Sequence, residues 1–335
     1  LHGGQVVAEV GPLGDDQMAD AEAEAWHRKV VDAVLVWSLR WTSVSCNVMD
    51  SGIGQLPSAA AIQSLWDRAE VLLGPAEFAA LIASHRNGTA KVRHRLINQL
   101  LTLDDARSGR LSLVAQGAAF VSMAEVDSVL AFAEEWQSSA AWPEVRRGLR
   151  AAAEYLHSVG VVAVASMLKV RHPATELVVA NAGAREPDLI LVVSNGLPVA
   201  IEVKAPVALW QPASELDQAA GLRVIRSALA SAGTVQGQLR ASRPGILALS
   251  GLLVGQDTYD MLTECFEMHL KKEGGLMPHL LGLAVFNLRE RVVQPDPARV
   301  STLLEQQSTL RRSPAYTGPM IIDDDWSRPW RLVQR

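Results

Sequence analysis

Cysteine is nearly absent from this chain, with only Cys46 and Cys265 in 335 residues. The two lie far apart and match no metal-ligand spacing, so a cysteine-rich scaffold is excluded. A reduced, intracellular protein of open compartment is expected, with a single disulfide as the alternative. Long apolar runs are also missing. The best of them, Val159–Leu168 and Gly245–Val254, suit buried strands and fall well short of the roughly 20 residues a membrane span needs. No membrane partner is therefore expected. An excess of basic charge is lacking too: the formal net charge is −5. Nucleic-acid binding would thus rest on a local positive field, not on the chain as a whole. No His-x-x-x-His pair or Cys/His cluster suggests zinc, and no Gly-x-Ser-x-Gly elbow suggests a serine nucleophile. Leu1-His-Gly-Gly opens the chain without Met, as a fragment or processed product would, and no charged-then-apolar leader follows.

What is present is a hydrophobic content of 49%, with aromatics at 5% that include nine Trp. The length allows one large domain or two ordinary ones. Residues 1–16 are Gly-rich. Trp26, Val30, Val34, Trp37 and Trp41 then recur at helical intervals and read as core. After the Gly/Ser/Pro stretch Ser51–Ser58, helices are expected at Ala59–Leu73, Pro75–Ser84, Thr89–Leu103 and Met123–Gln137. Residues 1–140 are read as a mainly helical N-terminal region.

The texture changes after Trp142. A helix over Pro143–Ser158 is expected to lead into a strand at Val159–Leu168. Leu177–Ala180, Asp188–Val193 and Val199–Val203 follow as strands, the last two joined through Ser194-Asn-Gly-Leu-Pro198. Asn-Gly between apolar runs is a strong hairpin signal. Ser214–Ser242 reads as helix, Gly245–Val254 as strand, Tyr259–Lys272 as helix and Leu280–Leu288 as strand. This order implies an α/β domain over 141–292, a mixed central sheet flanked by helices. Residues 293–335 read as a Pro-rich tail with the acidic cluster Asp323–Asp325.

Chemistry concentrates on the hairpin. Asp188 opens one apolar strand, and Glu202 and Lys204 close the next, two residues apart and so on one face. Antiparallel pairing through Asn195-Gly196 brings all three to one end of the sheet. Charges in such apolar strands are costly unless paired or bound to a metal. Two carboxylates with carbonyl oxygens and water are suitable hard ligands for Mg²⁺, or Mn²⁺. A cation there would neutralise a scissile phosphate and polarise the attacking water. Lys204 would hold that water or stabilise the pentacoordinate state.

Pro187-Asp188 followed by Glu202-Val203-Lys204 resembles the motif of the PD-(D/E)XK nuclease superfamily. The stretch Pro187–Pro206, with its Asn-Gly-Leu-Pro turn and Glu-Val-Lys-Ala-Pro ending, is similar to the nuclease domain of type I restriction subunits in particular. The resemblance implies a restriction-endonuclease-like fold over residues 143–290 and metal-dependent cleavage of DNA. It implies a Gln on the following helix, for which Gln238 is the first match and Gln236 the second. It also implies a metal-binding Glu from the preceding helix, Glu154 before Glu144. The protein partner it implies is a second copy of the chain, or a separate motor or specificity subunit. The chain departs from these relatives in lacking a Gly-x-x-x-x-Gly-Lys-Ser/Thr loop, so no motor is implied here. The tyrosine some relatives place four residues after the Gln is replaced by Ser242 or Arg240.

Three basic groups are further candidates. Arg86, Lys91, Arg93 and Arg95 read as a solvated helix face before a phosphate contact. Arg146, Arg147 and Arg150 leave both readings open. Arg223, Arg226, Arg240 and Arg243 are the best candidates for backbone contacts. The rival to a nuclease is an inactive module of the same fold that binds nucleic acid or a protein.

Overall fold

The computed structural model describes residues 58–110, 116–171, 177–179, 187–191, 198–210, 216–234, 243–252, 254, 256–273, 278–296, 299–314, 316 and 330–331. The Trp26–Trp41 set, Cys46, the Asn195–Gly196 turn, Gln236, Gln238, Arg240 and the cluster Asp323–Asp325 lie outside the described residues. Cys265 is a buried free thiol.

The helical region comes first, as expected. Helix α1 (Ala59–Leu73) is capped by Ser58, whose hydroxyl accepts from the Ala61 N–H at 3.1 Å. Ile62, Leu65, Ala69, Leu72 and Leu73 form its buried stripe. It stops at Gly74, whose φ of +91° only glycine adopts freely, and α2 (Pro75–Arg86) starts with Pro at its first position. Helix α3 (Arg95–Arg107) begins later than Thr89, because residues 87–94 form a connecting loop. The loop is pinned at its end: the His94 N–H donates to His85 Nε2 at 2.8 Å, and His94 Nε2–H donates to the Leu149 carbonyl at 2.9 Å. Burial lowers the His94 pKa from 6.5 to about 4, so the ring is neutral there. Helix α4 (Gln116–Glu135) packs on α3, and Arg95 joins them by Nε and Nη2 bonds to the two Glu125 oxygens at 2.5 and 2.9 Å.

The expected helix Pro143–Ser158 is two helices, α5 (Trp142–Arg150) and α6 (Tyr155–Arg171), with extended backbone at Ala151 between them. The expected strand Val159–Leu168 is the middle of α6. Its residues Val159, Val161, Val162, Ala163, Val164, Ala165, Met167 and Leu168 are all buried. A helix enclosed on every side is apolar all round and carries no amphipathic period to separate it from a buried strand. Gly160 lets it approach the sheet: a Cβ there would stand 3.1 Å from Ala205 Cβ and 3.2 Å from Ser250 Cβ.

The described sheet has seven strands in the order β1-β2-β3-β4-β5-β6-β7. Strands β1 (Leu177–Val179), β2 (Leu189–Leu191) and β3 (Val199–Lys204) pair antiparallel. Strand β4 (Gly245–Leu252) runs parallel to β3, and β5 (Leu280–Asp296) parallel to β4. These parallel steps cross over through α7 (Gln218–Thr234) and α8 (Gln256–Glu273). All eight residues of β4 are buried, as expected of a central parallel strand. The sheet continues where a tail was expected: β6 (Arg299–Arg312) pairs antiparallel with β5, and β7 (Trp330–Arg331) with β6. Residues 299–312 are mostly polar with no clean alternation, so their composition hid the strand. One buried cluster runs from Ile62 in α1 to Phe286 in β5, so helices and sheet share a core.

Candidate active site

The β2–β3 register aligns Leu189 with Ile201 and Leu191 with Val199. Continued by one residue, it sets Asp188 across from Glu202. The antiparallel convergence expected from the sequence is thus present. The Val203 N–H donates to Asp188 Oδ2 at 2.8 Å, which fixes the carboxylate against β3. Lys204 Nζ donates to Glu202 Oε1 at 2.5 Å. Behind them, the peptide after Lys204 is anchored by Trp210, fully buried, whose Nε1–H donates to the Ser250 carbonyl of β4 at 2.9 Å.

The structure adds His157, from the first turn of α6. Its Nε2 lies 3.2 Å from Asp188 Oδ1. The hydrogen bond to Asp188 raises the His157 pKa above its ordinary 6.5, against the cost of burial. Burial, and then the Asp188 carboxylate, push Glu202 above the usual carboxylate range, while Lys204 and His157 pull it down. Its side chain is 6% exposed and Lys204 25%. The other oxygen, Oε2, is buried with no hydrogen-bond partner among the described residues. A buried carboxylate oxygen in that condition is costly, and it is what a cation would relieve.

The other expected site residues are placed differently. Glu154 is exposed just before α6, its Oε2 3.7 Å from where a Cβ on Gly148 would stand. The charges that act on Glu202 are those of Asp188, Lys204 and His157. Glu144 pairs with Arg147. Gln238 and Gln236 fall outside the described residues, so the helix-borne glutamine is not placed. His157 had no spacing signal of its own. Its only cue was membership of the helix that precedes the carboxylate hairpin.

Among the described residues no group of three or more His, Cys, Asp or Glu side chains is disposed to hold a metal. Two carboxylates suffice for Mg²⁺, which retains several of its waters. The unpartnered Glu202 Oε2, opposite Asp188, therefore fits a hard divalent cation.

Of the basic groups, Arg86 bonds Asp104 at 3.2 Å and Arg95 is committed to Glu125, while Lys91 and Arg93 are exposed in the 87–94 loop. Arg223 and Arg226 are exposed on α7. Among the described residues no helix is long and apolar enough to cross a membrane. What fold and site define is an α/β protein with a helical region ahead of a mixed sheet, carrying an acid–acid–lysine–histidine cluster at one end of the β2–β3 pair. No family model, curated protein or solved structure matches the chain.

Proposed function

We propose that this protein is a Mg²⁺-dependent, restriction-endonuclease-like nuclease that hydrolyses phosphodiester bonds in DNA. The observation that carries the reading is the Glu202 carboxylate, buried and paired on one oxygen only, opposite Asp188 and beside Lys204. A bound Mg²⁺ or Mn²⁺ supplies charge neutralisation at the scissile phosphate and lowers the pKa of a coordinated water. Asp188 and Glu202 would hold that ion. The chain's own residues do the rest. The Val203 N–H orients Asp188. Lys204, a charge on a flexible stem beside Glu202 Oε1, would hold the attacking water or stabilise the developing phosphorane charge. His157 leans on Asp188 Oδ1 and helps to fix that carboxylate.

The test is cleavage of plasmid and single-stranded DNA by the purified protein with Mg²⁺ or EDTA. Cleavage is expected with Mg²⁺ alone, and Lys204→Ala and Asp188→Asn should each lower it by about 10²–10³-fold. Metal-dependent cutting that survives both substitutions would show that the site is elsewhere.

A second reading, a nucleic-acid- or protein-binding module without chemistry, is favoured by the net charge of −5 and by Asp188 having a partner on each oxygen. Calorimetric titration with Mn²⁺ separates the two. A nuclease site binds the ion and loses it in Glu202→Gln, whereas an inert module takes up none.

A further inference from the structure

A cleft of 290 Å³ opens between α2 and α5, lined by Glu77, Pro143, Arg146, Arg147, Arg150 and Ala151. Its three arginines differ in what occupies them. Arg146 donates from Nε to the Leu72 carbonyl at 2.7 Å and from Nη2 to the Val71 carbonyl at 3.1 Å, closing the C-terminal end of α1. Arg147 pairs with Glu144. Arg150 is unoccupied: its Nε is buried with no hydrogen-bond partner among the described residues. Its guanidinium reaches the α1–α2 junction, where a Cβ on Gly74 would stand 2.8 Å from Nη2. Helix α2 begins at that junction with Gly74 as its cap residue and no side-chain cap bond, so the N–H groups of Ala76 and Glu77 have no side-chain acceptor, although the Glu77 carboxylate stands in the same turn.

Arg150 is half-buried, an Nε–H withheld from both solvent and partner is unfavourable, and a planar fork of donors matches phosphate oxygens. The cleft belongs to the same unit as the carboxylates. Gly148 of α5 is packed against Ser158 of α6, the residue next to His157. We propose that this cleft binds a backbone phosphate of the nucleic-acid strand, with Arg150 as its charged ligand and the start of α2 as its second donor. The identity of the strand rests on the nuclease reading. The cleft itself rests on Arg150 and the α1–α2 junction.

The test is fluorescence anisotropy of a labelled oligonucleotide titrated with the full chain in EDTA, over a series of salt concentrations. Arg150→Gln should weaken binding several-fold and reduce the salt slope by about one phosphate contact. Unchanged affinity and slope would overturn the proposal, as would a wild-type chain that binds no oligonucleotide. So would an Arg150→Gln effect on the binding of inorganic phosphate alone. Should Arg150→Gln fail to fold, Glu77→Gln decides, because it removes an exposed like charge of the ligand from the cleft rim. Tighter binding is expected, and unchanged binding overturns the cleft. The readout involves no cleavage. A chain that binds through Arg150 but never cuts refutes the nuclease reading alone, and one that cuts with Arg150 indifferent to binding refutes the cleft alone.

Discussion

His157 and Glu202 both hold their protons more tightly in the folded chain, and the two shifts act in the same direction on stability. The His157 pKa is raised by Asp188. Its contribution is therefore complete below the ordinary value of 6.5 and is lost as pH rises through the folded value. The Glu202 pKa is raised by burial, so the metal-free chain gains from its protonation as pH falls towards 4.5. The prediction is that metal-free His157→Gln is less stable than wild type near pH 6 and converges on it as pH rises past the folded His157 value. Urea midpoints across that range check it. A constant difference would mean that His157 acts by packing and not by charge. Saturating Mn²⁺ should displace the midpoint upwards in wild type and leave Glu202→Gln unmoved, with about 2.7 kcal/mol of stabilisation at one hundred times Kd.

Helix α6 sets the position of the site at the scale of elements. It carries His157 in its first turn and lies on β3 and β4, the strand of Glu202 and its parallel neighbour. The approach depends on Gly160, where any side chain meets Ala205 and Ser250 at or inside contact distance. Ala205 follows Lys204 directly. Gly160→Val should cost about 1–3 kcal/mol by overpacking, measured by urea unfolding. It should also lengthen the contact of His157 with Asp188 as the helix moves outward. Gly160→Ala places only the Cβ at 3.1–3.2 Å and is expected to be milder. Equal losses in the two variants would contradict the packing account.

Across the whole molecule, one core and one buried polar network join the helical region to the sheet. Arg95 on α3 bonds Glu125 on α4, Gln99 Nε2 donates to the same carboxylate at 2.8 Å, and the Arg95 guanidinium lies 5.8 Å from the Trp210 ring centroid. Trp210 in turn anchors the peptide after Lys204. Glu125 is 2% exposed and Arg95 20%, so Glu125→Ala leaves a largely buried cation without its partner. The expected loss is about 3–5 kcal/mol. Because the core is continuous, unfolding should remain a single transition when followed by far-UV dichroism and by tryptophan fluorescence. Two separated transitions would show that residues 58–140 fold as an independent unit.

Much of this arrangement was legible from residue patterns. The α1 span Ala59–Leu73, the α2 start at Pro75, the strand at Gly245 and the pairing of Asp188 with Glu202 and Lys204 follow from caps, periodicity and a hairpin signal. All of these are short-range physics. Val159–Leu168 could not be read, since a fully enclosed helix and a central strand are equally apolar. Residues 299–312 could not be read either, since a polar strand on the far side of a sheet has no hydrophobic alternation to show. Neither His157 nor Arg150 carried a motif. A histidine acquires a role when a helix start is set against a carboxylate from a distant strand, and an arginine becomes an anion ligand when packing withholds its partners. Local sequence determined which charges stand together on the hairpin. Only the tertiary structure decided which of them are buried, which remain unpaired and what lies beside them, because desolvation and non-local contact exist only once the chain is packed.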